Sequence, residues 1–259
     1  MNRLYSGIFL MLSYFVSPAQ VEKTEYYTTG QIRAKGCVVN SNKMGEWTSF
    51  YPSGKKSAIE NFEQGVLHGA VIYFYPTEIV QGKETWRMGQ LQDSAWYFHP
   101  SGTLQRKGVY ENSRYANTWI HYFEHGAVER SVNYSNGMPY GETRIYSSKG
   151  ILIQHGEYLN GHEHGDWKFY DRDGVLEFTG QYEQGKPVGV WYEFQRGKKK
   201  VFKRYENSFF MWKKKPCVFS LVNVYSSRIT ASYAVTISKP PPVPISILLD
   251  SRLFNWRSS

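Results

Sequence analysis

Cysteine is nearly absent from this chain: Cys37 and Cys217 are the two in 259 residues. Two are too few for a disulfide scaffold, and none follows the N-terminal apolar run to take a lipid. An apolar run long enough to cross a bilayer is missing too. Leu4 to Val16 falls short of the roughly 20 residues a span takes and is interrupted by Ser6, Gly7 and Ser13. Acidic residues are scarce at one end. Residues 196–259 hold 13 Lys and Arg against Glu206 and Asp250 alone, so the rest of the chain sums to −2 although the total is +9. Electrostatic attraction to a partner therefore belongs to the C-terminal end, and the body has to bind by other means. There is also no Gly-x-Ser-x-Gly elbow, Walker loop or His-Glu-x-x-His, and neither cysteine lies in a catalytic signature, so no enzyme class is indicated.

What is present begins with a secretory signal. Arg3, the apolar run and the small-x-small Ser17-Pro18-Ala19 predict cleavage after residue 19 and export to the periplasm, the cell envelope or the exterior. Residues 20–207 then repeat with a period of 24. Gly45, Gly69, Gly141, Gly165 and Gly189 lie on one ladder whose two remaining rungs are Asp93 and Asn117. Gly, Asp and Asn share a tolerance for positive φ, so every rung predicts a left-handed turn residue. A second ladder carries Gly30, Gly54, Gly102, Gly126, Gly150 and Gly174 and breaks at Glu78, where an irregular loop or bulge over 76–82 is expected. A third passes through Gly65, Gly89, Ser113, Gly137, Gly161 and Gly185, with Asn before Gly at Asn136 and Asn160, a hairpin signal.

Between turns there is room for strands of about five to eight residues and none for a helix of ordinary length. Both strand segments carry an aromatic slot. The first runs Tyr26, Phe50, Phe74, Phe98, Tyr122, Tyr146, Tyr170, Phe194; the second runs Phe62, Trp86, Tyr110, Tyr134, Tyr158, Tyr182, with Tyr205 one residue early. The prediction is all-β: an elongated single-layer antiparallel β-meander of about eight tandem 24-residue hairpins, held together by stacking between neighbours, with both constant slots as core. Residues 208–259 form a basic tail. In a straight stack, Cys37 and Cys217 are too far apart to bond.

The unit Gly-x-Trp-x-x-Phe/Tyr-x-x-x-Gly, as in Gly165-Asp166-Trp167 to Tyr170 and Gly174, resembles the bacterial MORN-repeat variant, whose members are often labelled YwqK-family antitoxins. The resemblance spans about residues 21–207. It implies a hairpin stack serving as a binding scaffold, with some MORN proteins associated with membranes or lipids.

Candidate site residues follow from what varies. The Trp slot holds Trp47, Trp119, Trp167 and Trp191 but also Val71, Ala95 and Thr143. A row of half-exposed indoles on this slot would form a partner surface for a protein or a cell-surface polymer. Lys198, Lys199, Lys200, Lys203, Arg204, Lys213, Lys214 and Lys215 would instead contact an anionic membrane surface, and nucleic acid is not expected. His162-Glu163-His164 and Asp171-Arg172-Asp173-Gly174 fall on turn positions and read as turn chemistry, so no metal, cofactor or catalytic residue is assigned. The expected function is an exported non-enzymatic scaffold, the alternatives being a peripheral membrane binder and, further down, an antitoxin-like protein neutralising a toxin.

Overall fold

The computed structural model describes residues 19–205. Residues 1–18, on which most of the expected signal segment falls, and residues 206–259, with Lys213 to Lys215 and Cys217, lie outside the described residues; among those described, Cys37 is a free, half-buried thiol. Seventeen strands, and among the described residues no helix, form one open antiparallel meander of hairpins.

Packing divides the chain into two units, the first reaching Ala116 and taking in Glu124–Gly126, the second holding Asn117–Phe123 and the chain from Ala127. In the first, β1 (Val21–Tyr26), β2 (Ile32–Val39), β3 (Asn42–Phe50), β4 (Lys56–Glu63), β5 (Val66–Leu67), β6 (Gly69–Phe74), β7 (Val80–Arg87), β8 (Gln90–Phe98) and β9 (Leu104–Glu111) follow one another. Apart from the short β5, β4 also pairs directly with β6. The second contains most of β10 (Arg114–Tyr122), then β11 (Val128–Ser135), β12 (Met138–Tyr146), β13 (Leu152–Leu159), β14 (His162–Tyr170), β15 (Leu176–Glu183), β16 (Lys186–Gln195) and β17 (Lys198–Tyr205), again paired in chain order.

The turns obey the ladders closely. All seven rungs from Gly45 to Gly189, Asp93 and Asn117 included, have positive φ. The third ladder closes two-residue hairpins with both central residues left-handed, such as Asn136 at 51° and Gly137 at 83°, the geometry whose twist matches that of the flanking strands. At Glu78 no irregular loop forms, and the register shift between Tyr73 and Phe74, the bulge expected as the alternative, is one that other repeats share. Glu78 takes φ 69° and its amide donates to Tyr75 O at 2.8 Å, the bond that Gly54 makes to Tyr51 O, so a glutamate occupies an ordinary copy of the turn. Hydrogen bonding within the turn and pairing of the flanking strands outweigh its unfavourable φ.

Neighbouring repeats are tied across the wide turns by a hydroxyl ladder. Tyr27, Tyr51 and Tyr75 each donate to a backbone oxygen in the next repeat, on Phe50, Phe74 and Phe98, at 2.7 to 2.8 Å. In the second unit the same slot passes to Ser147 and Asp171, which serve their own turns: Asp171 Oδ1 accepts from the amides of Asp173 and Val175 at 2.9 Å. Asp171-Arg172-Asp173-Gly174 is thus turn chemistry, as expected.

Candidate interaction surface

Strand alternation gives the sheet an inner and an outer face. On β14, Trp167 and Phe169 are buried while Lys168 between them is exposed. The Trp slot lies on the inner face and is its core: Trp47, Trp119, Trp167 and Trp191 are all 0% exposed. The expected row of half-exposed indoles is therefore corrected, because an indole with no accessible surface presents nothing to a partner.

The physical reason is a glycine. An added Cβ on Gly36, Gly156 or Gly180 would overlap the ring of Trp47, Trp167 or Trp191 respectively, so each indole lies flat on bare backbone of the preceding strand. Aromatics of the second slot then close over it edge-on: Tyr158 and Tyr182 stand 5.5 and 5.8 Å from Trp167, and Tyr182 stands 5.1 Å from Trp191. Trp47 is covered by Phe62 at 6.3 Å and by Lys43 Nζ, 4.0 Å over its ring, and its Nε1 donates to Cys37 O at 2.9 Å. The sequence carries this rule openly. Gly36, Gly108, Gly156 and Gly180 each stand 11 residues before a Trp, whereas Glu60, Glu84 and Val132 stand before Val71, Ala95 and Thr143.

Where the slot shrinks to Val71 and Ala95, a polar network fills the inner face instead. Glu84 accepts from Tyr97 Oη at 2.6 Å and from Trp86 Nε1 at 2.9 Å; Tyr97 and Tyr110 share a hydrogen bond at 3.2 Å; and the Arg106 guanidinium lies 4.2 Å over the Tyr97 ring. Burial, then the Tyr110 hydroxyl and the Glu84 carboxylate, holds the Tyr97 phenol far above the ordinary tyrosine range. Tyr110, Tyr158 and Tyr182 are raised as well, chiefly by burial.

The first aromatic slot sits three residues after the Trp slot and so emerges on the outer face. Phe50, Phe74 and Phe98 in the first unit, and Tyr122, Tyr146, Tyr170 and Phe194 in the second, are half-buried rather than core. Lys35 Nζ, 5.8 Å over the Phe50 ring, marks the same face. In the first unit this face mixes apolar and basic side chains, with Ile59 and Ile72 paired across β4 and β6, and Trp96, 39% exposed, flanked by Lys83 and Lys107. In the second it is charged. Arg144, His155 and Lys168 are paired in one row, and Glu142 Oε1 accepts from Arg144 at 2.6 Å and from His155 Nε2 at 2.7 Å. Beside that row a shallow depression of about 400 Å³ is lined by His155, Glu157, His164, Asp166 and Lys168. Glu163 leaves this face: its carboxylate lies 3.5 Å from the buried Tyr158 Oη, so His162-Glu163-His164 splits between faces and does not converge.

The predicted cations Lys198, Lys199, Lys200, Lys203 and Arg204 are brought together on β17, and all are exposed. Lys199 Nζ lies 3.7 Å over the Tyr192 ring, and Lys203 Nζ lies 4.8 Å over Tyr205.

A family model described as the MORN repeat variant matches residues 45–64 and 163–184, one stretch in each unit. No curated protein matches the chain. Among solved structures, TcdB2-TccC3-TEV aligns at 12% identity over 68% of this chain, TM-score 0.21, and this chain spans 12% of that one's length. A porin-like protein from Bacteroides uniformis ATCC 8492 aligns at 7% identity over 71% of this chain and 94% of its own, TM-score 0.18. A protein of unknown function from Bacteroides fragilis NCTC 9343 aligns at 10% identity over 74% and 95%, TM-score 0.13.

Proposed function

We propose that this chain, which matches the MORN repeat variant at residues 45–64 and 163–184, is an exported, non-enzymatic scaffold whose outer face binds a protein or a cell-surface polymer. One observation supports this reading above the rest. The inner face consumes its indoles in packing, while the outer face of the first unit leaves Phe50, Ile72, Phe74, Trp96 and Phe98 only partly covered. Rigid aromatic side chains held on strands lose little entropy on binding and make good anchors. Replacing Phe74 and Trp96 together by Ser should weaken binding by about tenfold or more, on the scale of lost hot-spot side chains. The test is co-sedimentation with isolated insoluble cell-wall polymer, and in parallel capture of envelope proteins. Retained binding by the folded double variant removes the outer face from the reading.

Five exposed cations on β17, with no acid on that strand, favour a second reading, contact with an anionic membrane surface. Each would contribute at most about 1 kcal/mol and be screened by salt. Phosphatidylglycerol vesicles should then bind the chain in low salt, release it in high salt, and bind the variant with Lys198, Lys199 and Lys200 changed to Glu much less.

A further inference from the structure

Followed along the inner face, the Trp slot and the slot it rests on form one continuous row in each unit. Trp47 is paired with Glu60, Val71 with Glu84, Ala95 with Gly108, Trp119 with Val132, Thr143 with Gly156 and Trp167 with Gly180. No internal step sets one cation against another. The first and last strands among the described residues depart from this pattern in the same way. On β1 the Trp slot, 24 residues before Trp47, is occupied by Lys23, which is paired with Gly36 and exposed. On β17 the residue paired with Trp191, as Gly180 is with Trp167, is Lys203, also exposed. β1 pairs with β2 and β17 with β16, and their other edges carry unpaired backbone groups among the described residues.

A meander with open edges of matching period is a template for its own extension: β1 of one copy could continue the ladder of β17 of another, giving a heterologous contact. At the internal junctions Trp47, Trp167 and Trp191 lie on glycine, while Val71, Ala95 and Thr143 follow Glu60, Glu84 and Val132 in the same two slots; in none of them does a cation meet a cation. At a junction between copies, Lys23 would come down on Lys203 instead. A long side chain meets a long side chain where an indole meets bare backbone, and two like charges stand on adjacent strands.

We propose that Lys23 and Lys203 are matched end caps that forbid head-to-tail pairing of this protein with a second copy of itself. The surface that carries the recognition is the β1 and β17 edge pair, and its preferred occupant, once the caps are removed, is another copy of the chain.

The experiment uses two single variants of the full chain, Lys23→Trp and Lys203→Gly, each changed at one exposed edge residue so that the fold is kept, checked by melting temperature. Wild type and each variant alone should sediment as monomers. Mixed in equal amounts, the variants should form a heterodimer of about twice the mass, because β1 of the first meets β17 of the second at one repaired junction. The double variant Lys23→Trp/Lys203→Gly should extend further, into concentration-dependent oligomers. Wild type that already associates through these edges overturns the proposal. So does a mixture of folded single variants that stays monomeric at the highest soluble concentration, since another feature would then be blocking the edge.

Discussion

Single residues in this protein are chosen by backbone conformation before anything else. Glu78 shows it by exception: it sits at φ 69° in a turn whose other copies use glycine, and its side chain is exposed, so only backbone pairing that glycine would make equally well offsets the strain. A left-handed non-glycine residue costs about 1–2 kcal/mol. Glu78→Gly should therefore raise stability, by about 0.5–1 kcal/mol after the added chain entropy of glycine in the unfolded state. Thermal or urea unfolding measures it, and a loss of stability would mean that the glutamate makes an interaction stronger than its strain. The residue scale also explains why the four indoles were misjudged from the sequence. Their slot varies, and variation looks like surface, but the variation is compensated eleven residues earlier, where glycine appears whenever Trp does. Covariation of that kind marks contact, and a contact between an indole and a glycine marks burial.

Strands and hairpins are where that compensation is felt. Gly180→Ala would drive a methyl into the Trp191 ring, and overpacking of this kind costs about 1–3 kcal/mol. Trp191→Val alone should cost more, about 2–5 kcal/mol, through the cavity it leaves among Tyr182, Phe169 and Tyr205. Together the two changes should cost less than their sum by about 1 kcal/mol or more, because the larger residue then meets the smaller, as Val132 and Thr143 already do in another repeat. A double-mutant cycle by denaturant unfolding reads the coupling, and strict additivity would sever the link between the slots. Two-faced alternation was also legible at this scale. The first aromatic slot stands three residues from the Trp slot, an odd number, so the two belong on opposite faces of a strand. Treating both constant slots as core overlooked that parity: the second slot shares the inner face with the indoles, and the first is left half-open on the outer one.

At the scale of the whole molecule, the inner face gathers phenols that resist ionisation. Tyr97, Tyr110, Tyr158 and Tyr182 all have folded values raised by burial, against about 10 in the unfolded chain. A raised folded value means that stability is intact below about pH 10 and falls as pH climbs past it, since the unfolded chain releases protons that the folded chain retains. The melting temperature should drop steeply above about pH 10, and tyrosinate absorbance should rise in step with unfolding rather than before it. A transition that stays flat well past that pH would show these phenols to be accessible. What the sequence determined by itself was everything governed by local conformational preference and period: the 24-residue hairpin unit, the left-handed rungs, the two-residue turns, the all-β class and the cationic last strand. Turn chemistry is written in one or two residues, so it can be read without knowing the fold. Only the tertiary structure decided which aromatics are covered, because in a single sheet burial depends on what the adjacent strand lacks. It likewise put Lys23 and Lys203 into packing slots of their own units, paired with Gly36 and Trp191, a placement set by strand register that neither lysine reveals by itself.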